Sequence, residues 1–203
     1  TNLIVEPYLQ NATPTSMNVL WETDSNSEST VEWGEYVFLT NLTTGYSFTS
    51  SGNAKIHSVQ LSNLFPNTRY YYRVVYDNQY SELYNFITPP QLSSENSFRI
   101  VAMSDMQRDN SNPNKFNEII HDGVIDYLMD NYSDDLANEL AMVLVTGDLV
   151  DNGNSYYQWQ DHFFTPAADL FSYVPSYPVF GNHENNTDYF IEDYSINNTS
   201  NRI

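Results

Sequence analysis

Three short polar motifs of this sequence each follow an apolar run. They are Ser-Asp-Met-Gln at 104–107, Gly-Asp-Leu-Val-Asp at 147–151 and Gly-Asn-His-Glu at 181–184, which follow runs at 98–103, 141–146 and 177–180. Because open α/β sheets bind ligands at the carboxyl ends of their strands, we expect the three motifs at one edge of a sheet. Carboxylate, amide and imidazole groups gathered at such an edge are typical of a metal site that serves hydrolysis.

The charges of these motifs suit a pair of divalent ions. Two such ions about 3.5–4 Å apart can clamp a phosphoryl group and activate a water molecule. Asp105 and Asp148 bring two negative charges against the four positive charges of the ions. The neutral side chains of Gln107, Asn182 and His183 do not cancel the remaining positive charge, which is then available to a phosphate.

Each of these residues also has a purely structural interpretation. Asp105 fits a turn or a helix N-cap, and Asp148 after Gly147 fits ordinary turn chemistry. The amide of Asn182 could satisfy a loop backbone, and His183 could be a hydrogen-bonded core histidine. Four such residues at three successive strand ends favour the metal site. The other histidines are interpreted as structural or exposed: His57, His121 and His162.

The first 88 residues show the pattern of an antiparallel β-sandwich. Short segments rich in Val, Tyr and Thr alternate with polar turns, as half-buried strands do. The predicted strands are 16–22, 29–34, 57–61, 70–76 and 83–87. The segment 64–70 resembles the turn before the penultimate strand of fibronectin type III domains.

The pattern changes after a polar linker at 89–97, which opens with two prolines. Apolar residues then recur at spacings of three and four from Phe116 to Leu128, which predicts an amphipathic helix that begins near Pro113. A second helix is predicted at about 155–172. The order strand, helix, strand, helix, strand predicts a parallel sheet.

The composition excludes several partners and ligands. The 203 residues contain 7 Lys and Arg against 26 Asp and Glu, a net charge of −19, so we expect neither nucleic acid nor an anionic membrane as a partner. The acidity indicates either a surface adapted for solubility or attraction of divalent cations. Because the chain has no cysteine, a metal must be held by oxygen and imidazole ligands.

The sequence predicts no membrane span, since no apolar run approaches about 20 residues. It also begins without the charged and apolar regions of a signal peptide, although a mature exported protein would look the same. The absence of cysteine, the sandwich and the acidity favour a secreted or periplasmic protein.

The spacing of the three motifs is similar to that of the calcineurin-like metallophosphoesterase superfamily. The opening segment 6–11, with 14–17, resembles the N-terminal domain of purple acid phosphatases. The resemblance implies an all-β fibronectin III-like antiparallel sandwich at 1–88, the linker at 89–97 and an α/β metallophosphoesterase domain at 98–203. Of that α/β domain, only a βαβαβ portion is expected in this chain.

The resemblance also implies an activity and a set of roles. It implies hydrolysis of a small phosphomonoester or phosphodiester with two divalent ions, which could be Mn, Mg, Zn or Fe. Asp105 would bind the first ion, Asp148 would bridge both, and Asn182 would bind the second. His183 would contact the phosphate or act as a general acid, and Asp151 would hold the His183 ring.

Two residues depart from the family pattern. Gln107 stands where the first motif usually ends in histidine, so this position is either an oxygen ligand, which favours Mg or Mn, or no ligand. Asp151 stands where purple acid phosphatases carry the tyrosine whose charge transfer to iron gives their colour. The resemblance therefore implies a protein that is not purple.

The family's further histidines, on a later strand and in a Gly-His-x-His motif, have no counterpart in this chain. We therefore expect an incomplete second metal position, an open sheet edge and the missing C-terminal part of the domain as a partner. The alternative function is a binding or adhesion module with a degenerate phosphoesterase scaffold, which could bind through Tyr70, Tyr71, Tyr72, Tyr76, Tyr80 or Tyr84. A calcium-stabilised structural domain is disfavoured because no Asp-x-Asp-x-Asp-Gly loop occurs.

Overall fold

The fold is taken from a computed structural model in which residues 1–184 and 188–189 are described. Residues 3–87 form the predicted sandwich. Its strands are β1 (Leu3–Thr13), β2 (Ser16–Thr23), β3 (Thr30–Gly34), β4 (Asn41–Thr44), β5 (Tyr46–Thr49), β6 (Lys55–Ser62), β7 (Arg69–Tyr76), β8 (Gln79–Tyr80) and β9 (Tyr84–Ile87). Strands β1, β4, β5 and β8 were not predicted from the sequence.

The sandwich has two antiparallel sheets. One has the order β1-β2-β6-β5 and the other has the order β4-β3-β7-β8, with β9 also paired to β7. Alternate residues of the strands face inward, so Trp21, Tyr72 and Phe86 are completely buried between the sheets. The predicted all-β antiparallel class is confirmed.

The second half of the chain contains a parallel sheet, as predicted. Its strands β10 (Ile100–Met103), β11 (Met142–Val145) and β12 (Ser176–Pro178) lie in that order, and each neighbouring pair is parallel. These strands lie within the three apolar runs of the sequence or overlap them. Their carboxyl ends therefore meet at one edge, which is where the polar motifs begin.

Two long helical stretches connect these strands. Stretch α1 consists of the consecutive segments Lys115–Glu118, Ile119–Ile125 and Asp126–Asn131, and stretch α3 consists of Tyr156–Gln158, Trp159–Phe164 and Thr165–Phe171. The middle segment of each has π-helical hydrogen bonding. A short helix α2 (Leu136–Glu139), which was not predicted, lies between α1 and β11.

The two helical stretches bury one face each against the sheet. Phe116, Ile120 and Leu128 of α1 are buried, and their spacing matches the predicted amphipathic period. Trp159 and Phe163 of α3 are fully buried, and the Phe163 ring stacks on Phe116 at 5.4 Å between centroids. The helices thus fix the sheet whose edge carries the motifs.

The sandwich and the α/β half share one hydrophobic core. Val5, Tyr8 and Leu20 of the sandwich belong to the same buried cluster as the α3 side chains. The Tyr8 ring lies 4.7 Å from the ring of Phe164. Burial of these apolar side chains holds the two halves in a fixed relation.

Buried polar contacts reinforce this junction. The hydroxyl of Tyr72 donates to the carbonyl of Ser172 at 2.7 Å, and the Ser172 hydroxyl donates to the carbonyl of Pro7 at 2.6 Å. Glu22 of β2 is fully buried and accepts hydrogen bonds from the Tyr156 hydroxyl and the Gln160 amide of α3. Each half therefore satisfies polar groups of the other.

The segment that links the two halves along the chain is exposed, unlike the buried junction between them. Residues 91–99 form no strand or helix, and all of them are exposed, with Leu92 completely so. This agrees with the composition of the linker predicted at 89–97.

At the far side of the parallel sheet, β10 is an edge strand. Ile100 is 45% exposed, and Phe98 before it is 71% exposed. In the described part of the chain, no strand pairs with the outer side of β10. Across residues 1–184 and 188–189, no helix has the length and apolar character that crossing a membrane requires.

Candidate phosphoesterase site at the sheet edge

The loops that carry the three motifs begin as direct extensions of the parallel strands. The amide of Thr146 donates to the carbonyl of Met103 at 2.8 Å, and the amide of Val179 donates to the carbonyl of Val145 at 2.9 Å. Beyond the end of these strands, the amide of Asp105 donates to the carbonyl of Gly147 at 3.3 Å. The first and second motifs are therefore tied together where their strands end.

The first motif places its polar residues on either side of a buried anchor. Met106 is completely buried, whereas Asp105 is exposed and adopts a left-handed backbone with φ of +55°. Aspartate tolerates this conformation better than most residues. Gln107 is half-buried, and its carbonyl oxygen Oε1 is buried with no hydrogen-bond partner.

The second motif is built in the same way. Gly147 (φ +102°) and Asp148 (φ +53°) are successive left-handed residues, which turn the chain sharply at the end of β11. Leu149 and Val150 are then completely buried, while Asp148 is half-buried and Asp151 is exposed. The apolar pair anchors the loop, and the carboxylates on either side of it remain at the surface.

The second and third motifs approach each other so closely that only glycine fits. A Cβ atom on Gly147 would lie 2.9 Å from the Cα of Gly181. A Cβ atom on Gly181 would lie 2.1 Å from Oδ1 and 2.2 Å from the backbone nitrogen of Asp148. The glycines of both motifs are therefore explained by contact between their loops.

His183 contacts both aspartates of the second motif. Its backbone amide donates to Oδ1 of Asp148 at 3.2 Å, and its ring Nδ1 lies 2.6 Å from the carbonyl oxygen of Asp151. Because a carbonyl can only accept, Nδ1 carries the proton and the neutral ring has its lone pair on Nε2. The Asp151 carbonyl, together with the carboxylates of Asp148, Asp151 and Glu184, raises the pKa of His183.

The predicted role of Asp151 therefore changes in one detail. The family resemblance implied that the Asp151 carboxylate holds the His183 ring. In the structure the carboxylate oxygen lies 3.6 Å from Nδ1 of His183, and the backbone carbonyl of Asp151 is the closer acceptor. The carbonyl position depends on the backbone rather than on the side chain at 151. Orientation of the ring thus follows from the course of the loop.

Glu184, to which the sequence gave no role, is the most completely buried acid of this region. It is 0% exposed, and its carboxylate accepts backbone hydrogen bonds from both the second and the third motif. Asn182, two residues earlier, is exposed. The only sign of this role in the sequence is that Glu184 belongs to the third motif. Its contacts could not be predicted, because the amides of the second motif lie 34 to 36 residues earlier in the chain.

The residues at this edge fit a divalent cation through mixed donors. In the described part of the chain, no three His, Asp or Glu side chains form a cluster that could hold a metal by themselves. The predicted set instead combines the carboxylates of Asp105 and Asp148 with the amides of Gln107 and Asn182. The unpartnered buried oxygen of Gln107 fits such a donor, because a buried carbonyl without a partner is energetically costly.

Two cations, one in the loop after the first motif and one at the start of α1, were not singled out from the sequence. Lys115 donates from Nζ to the backbone carbonyl of Asp105 at 3.0 Å. The Arg108 guanidinium lies 3.9 Å from a carboxylate oxygen of Asp161. Lys115 also lies 3.7 Å from a carboxylate oxygen of Asp109, so each of the two cations has a carboxylate nearby.

His57 and His121 contact residues outside the three motifs, whereas the charge of Asp151 in the second motif acts on His162. His57 is fully buried in β6, so its structural interpretation is correct. His121 of α1 contacts Asp169 of α3 at 2.9 Å, and this contact raises its pKa. His162 of α3 lies near Arg108, and its burial lowers its pKa.

The tyrosines of the alternative binding function are mostly part of the core. Tyr70, Tyr72 and Tyr84 are buried, and Tyr71 and Tyr76 are half-buried. Tyr80 is 50% exposed, but its ring is covered by the Arg73 guanidinium at 3.8 Å. These residues therefore form no exposed aromatic surface on which the binding module could rely.

Family comparisons agree with this fold and with the position of the motifs. Residues 4–88 match the family model described as the purple acid phosphatase N-terminal domain. Residues 98–202 match the model described as calcineurin-like phosphoesterase, which is more than half of the chain. The chain therefore belongs to the calcineurin-like phosphoesterase family.

Solved structures with the same fold include a purple acid phosphatase and PhoD. The purple acid phosphatase PPD1 from yellow lupin (Lupinus luteus) seeds aligns with 88% of this chain at a TM-score of 0.68 and 22% identity. PhoD aligns with 89% of this chain at a TM-score of 0.58 and 12% identity. This chain spans 35% of the lupin protein and 39% of PhoD. Comparison with curated protein sequences gives no match.

Proposed function

We propose that this protein takes part in metal-dependent hydrolysis of phosphate esters at the edge formed by β10, β11 and β12. The observation that carries the proposal is the joining of the three motif loops at that edge by hydrogen bonds, in a chain of the calcineurin-like phosphoesterase family. Because the chain spans about a third of its structural relatives, it supplies only part of the proposed site.

The proposed ligands are Asp105, Gln107, Asp148 and Asn182. When bound, two divalent ions supply Lewis acidity toward phosphate oxygens and toward water. Their identity is proposed to be Mg or Mn, because all four side chains offer oxygen donors. Asp148 is best suited to a shared position, since its loop contacts those of both Asp105 and His183.

His183 is proposed to act on the leaving group. The Asp151 carbonyl accepts a hydrogen bond from Nδ1, so that Nε2 is the ring nitrogen that would exchange a proton with the leaving group. This contact orients the ring as a general acid requires. The substrate class is a small phosphomonoester or phosphodiester, whose negative charge Arg108 and Lys115 would attract.

Replacement of Asp148 tests this function. We expect Asp148→Asn to lose bound Mn²⁺, measured by elemental analysis after dialysis, and to reduce turnover of p-nitrophenyl phosphate or bis(p-nitrophenyl) phosphate by about 100-fold. The matched control is Asp130→Asn, which makes the same change of charge at an exposed position of α1 and should leave both quantities unchanged. A folded Asp148→Asn protein with full metal content and turnover would contradict the proposal.

A further inference from the structure

The Glu184 carboxylate is held entirely by backbone amides of two loops. Its Oε1 accepts hydrogen bonds from Leu149 at 2.8 Å and Val150 at 3.2 Å. Its Oε2 accepts from Gly181 at 2.7 Å and Asp148 at 3.0 Å. The side chain is 0% exposed, and no ion pair among the described residues includes it.

This arrangement requires a carboxylate rather than any polar side chain. A carboxylate has two acceptor oxygens and can receive all four hydrogen bonds, whereas the amide of glutamine has one acceptor oxygen and one NH₂ donor. Glutamine would therefore point a donor at two of the four amides. Hydrogen bonds to an ionised acceptor are also stronger than neutral ones, which offsets the cost of burying the charge.

The four amides are positioned next to the proposed ligands. Three of them belong to Asp148 and the two residues after it, and the fourth belongs to Gly181, directly before Asn182. The carboxylate therefore binds the backbone of Asp148 itself and of the residue directly before Asn182. A shift of either loop would move one proposed ligand relative to the other.

The backbone of Glu184 is itself fixed by the chain that follows the second motif. A Cβ atom on Gly153 would lie 2.6 Å from the Cα of Glu184, and the Gly153 amide donates to the His183 carbonyl at 3.0 Å. The third motif is thus held at both its main chain and its buried carboxylate. Few alternative positions remain for the loop.

From these contacts we infer that Glu184 is a positioning residue that sets the separation of Asp148 and Asn182 and thereby the affinity of this edge for a divalent cation. The inference rests on the proposed function, because it takes Asp148 and Asn182 as ligands. Glu184 itself accepts hydrogen bonds from four backbone amides and is not among the proposed ligands. Its effect is transmitted through the backbone.

The experiment compares Glu184→Gln and Glu184→Asp with the wild-type chain by calorimetric titration with Mn²⁺. We expect Glu184→Gln to bind Mn²⁺ at least about tenfold more weakly, as is typical when a residue that supports metal ligands is changed. Glu184→Asp keeps the charge but is one methylene shorter and cannot reach all four amides, so its affinity should be intermediate. Glu184→Asp also tests the inference if Glu184→Gln does not fold.

A matched control separates positioning from stability. Phe171→Leu removes volume from the core at α3, where Phe171 is 1% exposed, and lowers the stability through a residue outside the three motifs. Titrations are made at a temperature at which every variant is folded. The inference would be overturned if Glu184→Gln bound Mn²⁺ as tightly as wild type. It would also be overturned if Phe171→Leu lost as much Mn²⁺ affinity as Glu184→Gln.

Hydrogen exchange distinguishes failure of this inference from failure of the proposed function. If the wild-type chain binds no Mn²⁺, the proposed metal site is wrong, but the hold on the loops is still measurable at the amides of Leu149, Val150 and Gly181. Faster exchange of these amides in Glu184→Gln, with unchanged exchange in β11, supports the positioning role. Unchanged exchange at all three overturns it.

Discussion

His57 shows how a residue type common in active sites serves a purely structural purpose here. Its ring stacks on Trp21 at 4.8 Å between centroids, with 4° between the planes. The ring nitrogens lie 2.8 Å from the Thr23 hydroxyl and 2.9 Å from the Ser29 hydroxyl. Burial lowers the pKa of His57 from an ordinary 6.5 to about 4, so the folded protein holds this ring neutral.

The pKa of His57 predicts loss of stability in acid. Between pH 6.5 and about 4 the unfolded chain binds a proton that the folded chain excludes, so the free energy of unfolding falls as the pH is lowered through this range. The full difference corresponds to about 3 kcal/mol. Urea unfolding from pH 7 to pH 4 should therefore show a smaller loss in His57→Gln than in wild type.

The control for this measurement is His121→Gln. The pKa of His121 is raised by Asp169, so this residue stabilises the fold at low pH and loses that contribution as the pH rises. His121→Gln should therefore leave the acid-side loss due to His57 in place. Parallel pH profiles for wild type and His57→Gln would show that the buried ring is not responsible.

At the scale of elements, the loops of the second and third motifs leave no room for a side chain at Gly181. Gly181→Ala would place a methyl group about 2 Å from the Asp148 backbone, so one of the two loops must move. We expect a loss of about 1–3 kcal/mol in the free energy of unfolding. We also expect weaker binding of Mn²⁺, since Asp148 moves with its loop.

Gly123→Ala is the matched control for this change. A Cβ atom at Gly123 meets only the Glu118 carbonyl at 3.7 Å, and the residue lies within α1, where alanine is favoured over glycine by about 0.5–1 kcal/mol. The control should be neutral or stabilising in urea unfolding. Similar losses in both variants would show that the approach of the two loops does not restrict position 181.

The parallel strands were predictable because each is a continuous apolar run that ends in polar residues. Strand β1 was not, since Pro7 lies within it and proline argues against a paired strand. The structure accommodates Pro7 at a register irregularity between Val5 and Tyr8, where the ladder with β2 is interrupted. Strands β4 and β5 are mostly exposed and lack the alternation that reveals a half-buried strand.

The placement of the motif residues after the strands was predictable, but the contacts that hold these residues were not. The motif spacing identified Asp105, Asp148 and His183, because local sequence places each of them after a strand. The role of Glu184 depends on amides that are distant in sequence, and no local pattern encodes such a contact. The contact of His183 with the Asp151 carbonyl was not predicted for a related reason. Any residue at 151 provides a backbone carbonyl, so the residue type carries no sign of this contact.

At the scale of the whole molecule, the boundary drawn from composition does not coincide with a gap in the packing. The sequence changes its pattern at 89–97, yet side chains on either side of this linker lie in one core. Besides the apolar contacts, the Arg69 guanidinium of β7 forms a bidentate pair with Asp135, which caps α2. A sequence pattern reports the elements of each half but not the surface through which they meet.

This shared core means that the peptide bonds of the linker are dispensable for assembly. If a specific protease site is inserted between Ser93 and Ser94, cleavage should give two pieces that elute together in gel filtration and keep the circular dichroism of the intact chain. Tyr8→Ala, which removes the ring packed on Phe164, should make the same nicked pieces separate more readily. Immediate separation of the unsubstituted pieces would show that covalent continuity, rather than burial, keeps the halves together. A protein with this property can be produced as two polypeptides that find each other, with the fully exposed segment around Leu92 as the natural point of division.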